Sequence, residues 1–198
     1  MAGGSRLFYY LPHKYGTYRE DYNMADSAIT KKTLASALKK LMLDCPFSKI
    51  SISDICDLCG MNRKSFYYHF RDKYDLVNWI FDTEFVDFAR GINDTETVLR
   101  MLCGYLHSNR EFYKRALRIE GQNSLRSHFC EVVLEYVSRC RISEDRGDTE
   151  LYLLHTRFIS DGFICALERW ITEQDSASPE QFCSQLCSLY TLYSTKIN

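Results

Sequence analysis

The sequence predicts an all-α fold, and three observations carry that prediction. Apolar residues recur at spacings of three and four along long stretches, with little of the strict alternation of a half-buried strand. Three prolines and nine glycines are few for 198 residues, so the chain has few natural breaks. At 45% hydrophobic and 14% aromatic it can bury a real core, in one large domain or in a small one joined to a medium one.

Residues 1–23 hold Gly3, Gly4, Pro12, Gly16 and many tyrosines without helical periodicity, and are expected to be a poorly ordered extension. Two readings of it stand open: upstream-translated sequence before a natural start at Met24, or a basic, tyrosine-bearing arm. A first helix follows, capped by Asp26 or Ser27, with Ile29, Leu34, Leu38, Leu41 and Met42 as its apolar stripe. Cys45-Pro46 ends it, because the residue before proline is pushed out of the helical region. Ser51 stands three residues before Asp54, a capping-box-like start for a short second helix to about Cys59. Gly60 is placed to stop that helix in the left-handed conformation, and Asn62 to cap a third that runs to about Phe70. Asp72 and Asp75 repeat the cap-then-acid pattern for a fourth helix containing Leu76, Ile80 and Phe81.

Beyond residue 90, breaks at Gly91–Thr95, Ser108–Arg110, Gly121–Ser124, Ser143–Thr149 and Asp175–Ser178 separate four or five helical segments, the last two long. The first of those two carries one stripe of Leu151, Leu154, His155, Phe158, Gly162, Cys165 and Arg169, and another of Phe163, Leu167, Trp170 and Ile171. A helix apolar on two sides needs neighbours on both, which a subunit interface supplies. Ser178-Pro179 opens the final helix with a cap and a proline at its first position, and Phe182, Leu186, Leu189, Tyr190 and Tyr193 form its buried side. The expected division is 1–23 extension, 24–75 a three-helix module, and 76–198 a helical bundle for dimerisation and effector response.

The net charge of −1 conceals an asymmetry: +1 over residues 1–23, +3 over 24–80 and −5 over 81–198. A local basic module on an acidic body suits contact with phosphate. Within that module the second and third helices, joined by Gly60-Met61-Asn62, have the length and turn of a helix-turn-helix, whose later helix enters the DNA major groove. Phe66 and Phe70 share one face of the third helix; Lys64, Tyr68 and Arg71 point the other way, flanked by Ser65 and Tyr67. Arg63 and Lys64 suit guanine edges or phosphates, and Ser51 and Asn62 sit at helix starts where phosphate oxygens are received. Tyr67 and Tyr68 reach the backbone or a thymine methyl, and Lys73 adds a phosphate contact. His69 lies nearer the Phe66 side and reads as a partly buried structural histidine, with phosphate donation as its alternative. The candidate DNA-binding set is therefore Ser51, Asn62, Arg63, Lys64, Ser65, Tyr67, Tyr68, His69 and Lys73.

The stretch from Phe47 to Val77, FSKISISDICDLCGMNRKSFYYHFRDKYDLV, resembles the TetR family signature at Ser51, Ile55, Gly60, Ser65, Tyr67, Phe70, Lys73 and Leu76. Cys59 stands where alanine is common in that family, and Lys64 where glycine is common. FYYHFRDKYDLVNWIF (66–81), with EFYKRALRIEGQNS (111–124) downstream, resembles the subgroup that regulates dihydroxyacetone-kinase operons. The resemblance implies a transcription regulator that binds a double-stranded operator as a homodimer and answers to a small-molecule effector or a co-regulator protein. A rival from another class is a helical adaptor whose basic surface meets an acidic protein and has no specific DNA target.

Other chemistries find little purchase. No run approaches the roughly 18 apolar residues of a membrane-spanning helix, and the N-terminus lacks the order of a signal peptide, so a cytoplasmic protein without membrane contact is expected. Cys56-x-x-Cys59 lacks a second ligand pair for zinc and shares a helical face with Ile52 and Ile55; Cys183 and Cys187 lie beside Phe182 and Leu186 in the same manner. The nine cysteines are read as small apolar residues. His107, His128 and His155 stand among Tyr105, Tyr113 and Phe158, which read as core before they read as an effector pocket. No phosphate loop, GxSxG elbow or HExxH motif occurs, so no enzymatic activity, cofactor or metal is expected.

Overall fold

A computed structural model describes residues 21–92, 94–121, 123–140, 149–173 and 176–195. Among these residues there is no strand. The chain divides into two compact units, one ending at Gly91 and the other beginning at Ile92.

The first unit opens with α1, Asp21–Asp44, followed by a 3-10 turn at Phe47–Lys49. Helix α1 starts before the expected caps, so Asp26 and Ser27 lie inside it, and it takes in the last three residues of the predicted extension; residues 1–20 lie outside the described residues. Leu34, Leu38 and Met42 are fully buried and Leu41 is half-buried, but Ile29 is 62% exposed and leaves the stripe. The short helices α2 (Ile52–Leu58), α3 (Arg63–His69) and α4 (Lys73–Phe81) are all packed on α1. Ile55, Cys56, Phe66, Leu76, Ile80 and Phe81 close the core beneath them. Each such side chain contributes about 1.5–3 kcal/mol through removal from water. A π-helical turn, Asp82–Val86, and the single turn α5, Asp87–Ala89, continue α4. Lys39 of α1 ties onto this continuation through Glu84, with Nζ 2.7 Å from Oε1. The first unit thus includes all of α4, which the sequence-based boundary at 75/76 divides.

The second unit contains α6 (Thr95–Ser108), α7 (Arg110–Ala116), α8 (Leu125–Cys140), α9 (Thr149–Thr172) and α10 (Pro179–Thr195). Helices α6 and α10 pack together, as do α8 and α9. Leu102, Cys103 and Leu106 are buried on α6, and Phe182, Cys183 and Leu186 on α10. The Trp170 ring stacks on Phe182 at 4.6 Å, and its indole N–H donates to the Ala177 carbonyl at 2.7 Å, which fixes the turn between α9 and α10. Arg110 Nε donates to the Ile171 carbonyl at 2.9 Å, and Arg126 Nε lies 3.1 Å from Glu168, joining α7 and α8 to α9. Leu189, expected inside, is 49% exposed, and the side chains of Tyr190 and Tyr193 lie outside the described residues.

Cys56, Cys103 and Cys183 are core groups, whereas Cys45 and Cys165 are exposed. Burial pushes Cys103 up to about 12 and Cys187 up to about 11, and raises Cys56. None of these three is poised as the thiolate that metal ligation or nucleophilic attack requires.

Helix starts carry most of the local specification. Ser51 Oγ accepts from the Asp54 N–H at 3.1 Å while Asp54 accepts from the Ser51 N–H at 2.7 Å, a complete capping box. Asp94 accepts from the Thr97 N–H at 2.8 Å at the start of α6. The Ser51 backbone N–H and then its hydroxyl hold the Asp54 carboxyl below its usual range; the Thr97 hydroxyl and then its N–H do the same for Asp94. Because these folded-state values lie below the unfolded one, their contribution is present above about pH 4 and is lost as pH falls through the lower folded values. Thermal unfolding scanned downward from about pH 5 is therefore expected to show a falling midpoint that the Asp54→Asn, Asp94→Asn double variant flattens. An equal slope in parent and variant would remove these caps from the acid response.

Gly60 sits at φ +68° between α2 and α3, where an L side chain is strained, and a Cβ there would meet nothing within 4 Å. The strain is conformational and not steric, so Gly60→Ala should cost about 1–2 kcal/mol and Gly60→Asn less. Denaturant unfolding of the two variants checks the order. If alanine proved as stable as the parent, this turn would not depend on the left-handed conformation.

Candidate nucleic-acid interface

The interface is assembled from three short helices and the turns between them. Helix α2 ends at Cys59, whose backbone N–H reaches the Cys56 carbonyl at 3.2 Å, and the Met61 N–H returns to the same carbonyl at 2.9 Å. Asn62 Oδ1 then accepts from the Ser65 N–H at 2.8 Å and starts α3. The second and third helices therefore begin on side-chain caps, with their amino termini charged positively by unpaired N–H groups.

Helix α3 has two unlike faces. Phe66 is wholly buried and Phe70, at its end, nearly so; their rings lie 5.8 Å apart, and Phe70 meets Trp79 of α4 at 5.7 Å. Opposite them Lys64 and Tyr68 are exposed, Tyr68 to 80%, and Arg63 and Tyr67 are exposed toward the flank. Ser65 is half-buried at the flank. The structure thus brings Arg63, Lys64, Tyr67 and Tyr68 onto one solvent-facing surface, with Asn62 at its edge and Ser51 at the start of α2.

The remaining candidates have other engagements as well. His69 is half-buried with its ring 4.8 Å from Tyr68 and 6.4 Å from Phe70. Burial first, and the Lys31 charge second, lower its pKa, so the imidazole is held toward the neutral form. Arg71 is exposed and lies 3.5 Å from the buried Asp75 carboxylate. Lys73 turns its ammonium onto the Phe47 and Ile50 carbonyls, at 2.7 Å each, which leaves one of its three protons for a phosphate.

Some contacts of this region are not those that residue spacing predicts. The Lys73 bonds span 26 and 23 residues. Asp75 accepts from the Arg71 N–H at 3.0 Å, one residue ahead of the Asp72 cap, so the cap-then-acid pattern closes on a different amide. Another has a spacing signal: Arg63 lies one turn from Tyr67, with a guanidinium nitrogen 3.4 Å from the phenol oxygen and the group 5.9 Å from the ring centre.

Chemically, the outer face of α3 offers two cations and two phenols on a helix anchored by aromatic burial. In size and character it suits the edge of a base pair and the phosphates beside it. Among the described residues no helix is long and apolar enough to cross a membrane.

Comparison with known proteins agrees with this geometry. Residues 34–80 match the bacterial regulatory proteins of the tetR family, and residues 93–191 match a transcriptional regulator C-terminal region. The HTH-type dhaKLM operon transcriptional activator DhaS of Lactococcus lactis is 36% identical over 104 residues, a match covering 50% of this chain and 54% of that protein. The chain therefore spans about half the length of this curated relative. A solved structure of the dihydroxyacetone kinase operon activator DhaS is 26% identical, covers 86% of this chain and 98% of its own, and superposes with a TM-score of 0.61. A TetR transcriptional regulator from Streptococcus agalactiae shares the fold at 20% identity and a TM-score of 0.64, over 85% of this chain and 97% of its own. With a helix-turn-helix ahead of a helical second unit, and family matches across both, the chain belongs to the TetR family of bacterial transcription regulators.

Proposed function

We propose that this protein binds a roughly palindromic operator as a homodimer in the cytoplasm and controls a small operon, of the dihydroxyacetone-kinase type, in response to an effector or co-regulator protein. The observation that carries the DNA reading is the outer face of α3, where Arg63, Lys64, Tyr67 and Tyr68 are exposed together while Phe66 holds the helix from behind. Arg63 and Lys64 read base edges or phosphates; Tyr67 and Tyr68 reach the backbone or a thymine methyl; Ser65 and His69 flank them. Ser51 and Asn62 hold the helix starts against phosphate, each with donor protons left after its oxygen has accepted from the backbone. The operon assignment rests on likeness to DhaS, named a dhaKLM operon transcriptional activator in the sequence relative and a dihydroxyacetone kinase operon activator in the solved structure. An effector acts by population shift, favouring or opposing the spacing of the two reading helices by no more than its differential affinity.

The dimer reading rests on α9. Leu151, Leu154 and Phe158 are 62%, 65% and 66% exposed on one stripe, continued by exposed Gly162 and Cys165, while Ile164, Leu167 and Ile171 fill the protomer core. Leu189 of α10 adds a further exposed apolar group. A stripe of this length is covered economically by its own symmetry mate, with Gly162 and half-buried Ala166, one turn apart, admitting close helix approach.

Two experiments test these readings. Lys64→Ala and Tyr68→Ala should each weaken operator binding by about 1–3 kcal/mol with helicity and thermal midpoint unchanged, since neither side chain touches the core. Variants that bind like the parent would displace α3 from the groove. At Gly162 an added Cβ meets nothing within 4 Å in the protomer, so Gly162→Glu spares the protomer fold and places charge on the seam alone. Burial of an unpaired carboxylate costs several kcal/mol, so the variant dimer should dissociate at about micromolar concentration and lose operator affinity, because a monomer cannot span half-sites about 34–36 Å apart. Sedimentation decides it: a monomeric parent, or a dimeric variant that binds DNA normally, removes α9 from the interface.

A further inference from the structure

We propose that Lys73 is a positioning residue that closes the helix-turn-helix into a single rigid cassette, an inference that rests on the operator-binding reading above. Its ammonium lies 2.7 Å from the Phe47 carbonyl and 2.7 Å from the Ile50 carbonyl, and 4.4 Å from the centre of the Phe47 ring. Ile50 immediately precedes Ser51, the cap of α2, and Lys73 is the first residue of α4, just beyond α3. One side chain therefore joins the chain at its entry into the helix-turn-helix to the chain at its exit. Everything that faces DNA, from Ser51 to Tyr68, lies within the loop so closed.

The neighbourhood is built to hold that ammonium. Phe47 and Ile50 are buried, and the Phe47 ring packs edge-on against Tyr74 at 5.0 Å, so the carbonyls that receive Lys73 belong to anchored residues. The exit is fixed independently by Asp72, which accepts from the Asp75 N–H at 2.8 Å, and by Asp75, which accepts from the Arg71 N–H at 3.0 Å. The entry is fixed by the Ser51–Asp54 box. Burial lowers the ammonium pKa, and the Asp54 charge works against that loss. With two of three protons engaged and a ring against the group, Lys73 is better placed to orient the module than to follow a phosphate.

A cation that orients and a cation that touches phosphate leave different traces. Loss of a phosphate contact weakens all sequences alike and reduces the salt slope by about one. Loss of orientation weakens the correct sequence selectively and leaves the slope unchanged. The full chain is used first to select a preferred duplex from a random-sequence pool. Parent, Lys73→Met and Lys73→Arg are then titrated with that duplex and with a scrambled one over a range of salt, at a temperature where circular dichroism shows each variant fully folded. Lys73→Met keeps the aliphatic stem against Phe47 and removes the donors. It should lose about tenfold on the selected duplex, comparable to one misread base pair, with little change on the scrambled one and an unaltered slope. Lys73→Arg, still able to donate to both carbonyls, should recover part of the loss, and amide exchange from Ser51 to Ile55 should quicken in the Met variant only. Equal losses on both duplexes with a slope lower by about one would overturn the proposal in favour of a phosphate contact. Unchanged affinity of the folded Met variant would overturn it in favour of stability alone. Should Lys73→Met fail to fold, the Arg variant decides, because an Arg variant with parental stability and a full loss of selectivity contradicts the carbonyl clamp. A parent that enriches no sequence would instead defeat the operator reading itself, and the positioning role with it.

Discussion

Phe66 has no surface left in water, and the outer face of α3 takes its direction from that fact. A seven-residue helix is far too short to be stable alone, so its existence depends on tertiary burial and capping. Phe66 against the α1 core, with Phe70 on Trp79, supplies the burial; Asn62 supplies the cap. Once that face is committed inward, the helical period forces Lys64 and Tyr68 outward. The chemistry exposed on α3 is therefore a consequence of packing on the opposite side of one helix.

The turns around α3 then convert a packed helix into an aimed one. Gly60 reverses the chain at a conformation open to glycine, and side-chain caps begin α2, α3 and α4. Each cap answers backbone donors that would otherwise be unmet, so the amino ends of three short helices are specified by sequence positions a few residues apart. Packing alone would leave such helices free to slide by a residue. Caps remove that freedom and fix the register of the side chains that each helix exposes.

What was legible in the sequence follows from range. The Ser51–Asp54 box, the Asn62 cap, the Gly60 turn, the Ser178-Pro179 start and the breaks at 91–95, 108–110 and 121–124 are local events, visible because cause and effect lie within four residues; of the break expected at 143–149 all but the last residue lies outside the described residues. The buried thiols were legible too, from their share of the apolar face. The start of α1 was not, since a propensity pattern does not show how far a helix extends past a suitable cap. Ile29 and Leu189 were misplaced because helical spacing assigns a side chain to a face and says nothing of whether a neighbour covers that face. Lys73 was read only as a charge near DNA; its two carbonyl partners lie more than twenty residues away, and no local rule connects them.

Charge shows the same lesson in reverse. Residues 24–80 carry an excess of +3, yet much of the basic content has work inside the unit. Lys73 holds two carbonyls, Lys39 pairs with Glu84, Arg71 lies beside Asp75, and Lys31 sits 6.0 Å over the Trp79 ring. Arg63 and Lys64 are exposed on α3, and among the described residues neither forms an ion pair with a carboxylate. Counterion release scales with the number of phosphates neutralised, so a net charge read from the sequence overstates what this unit has free for an anionic partner.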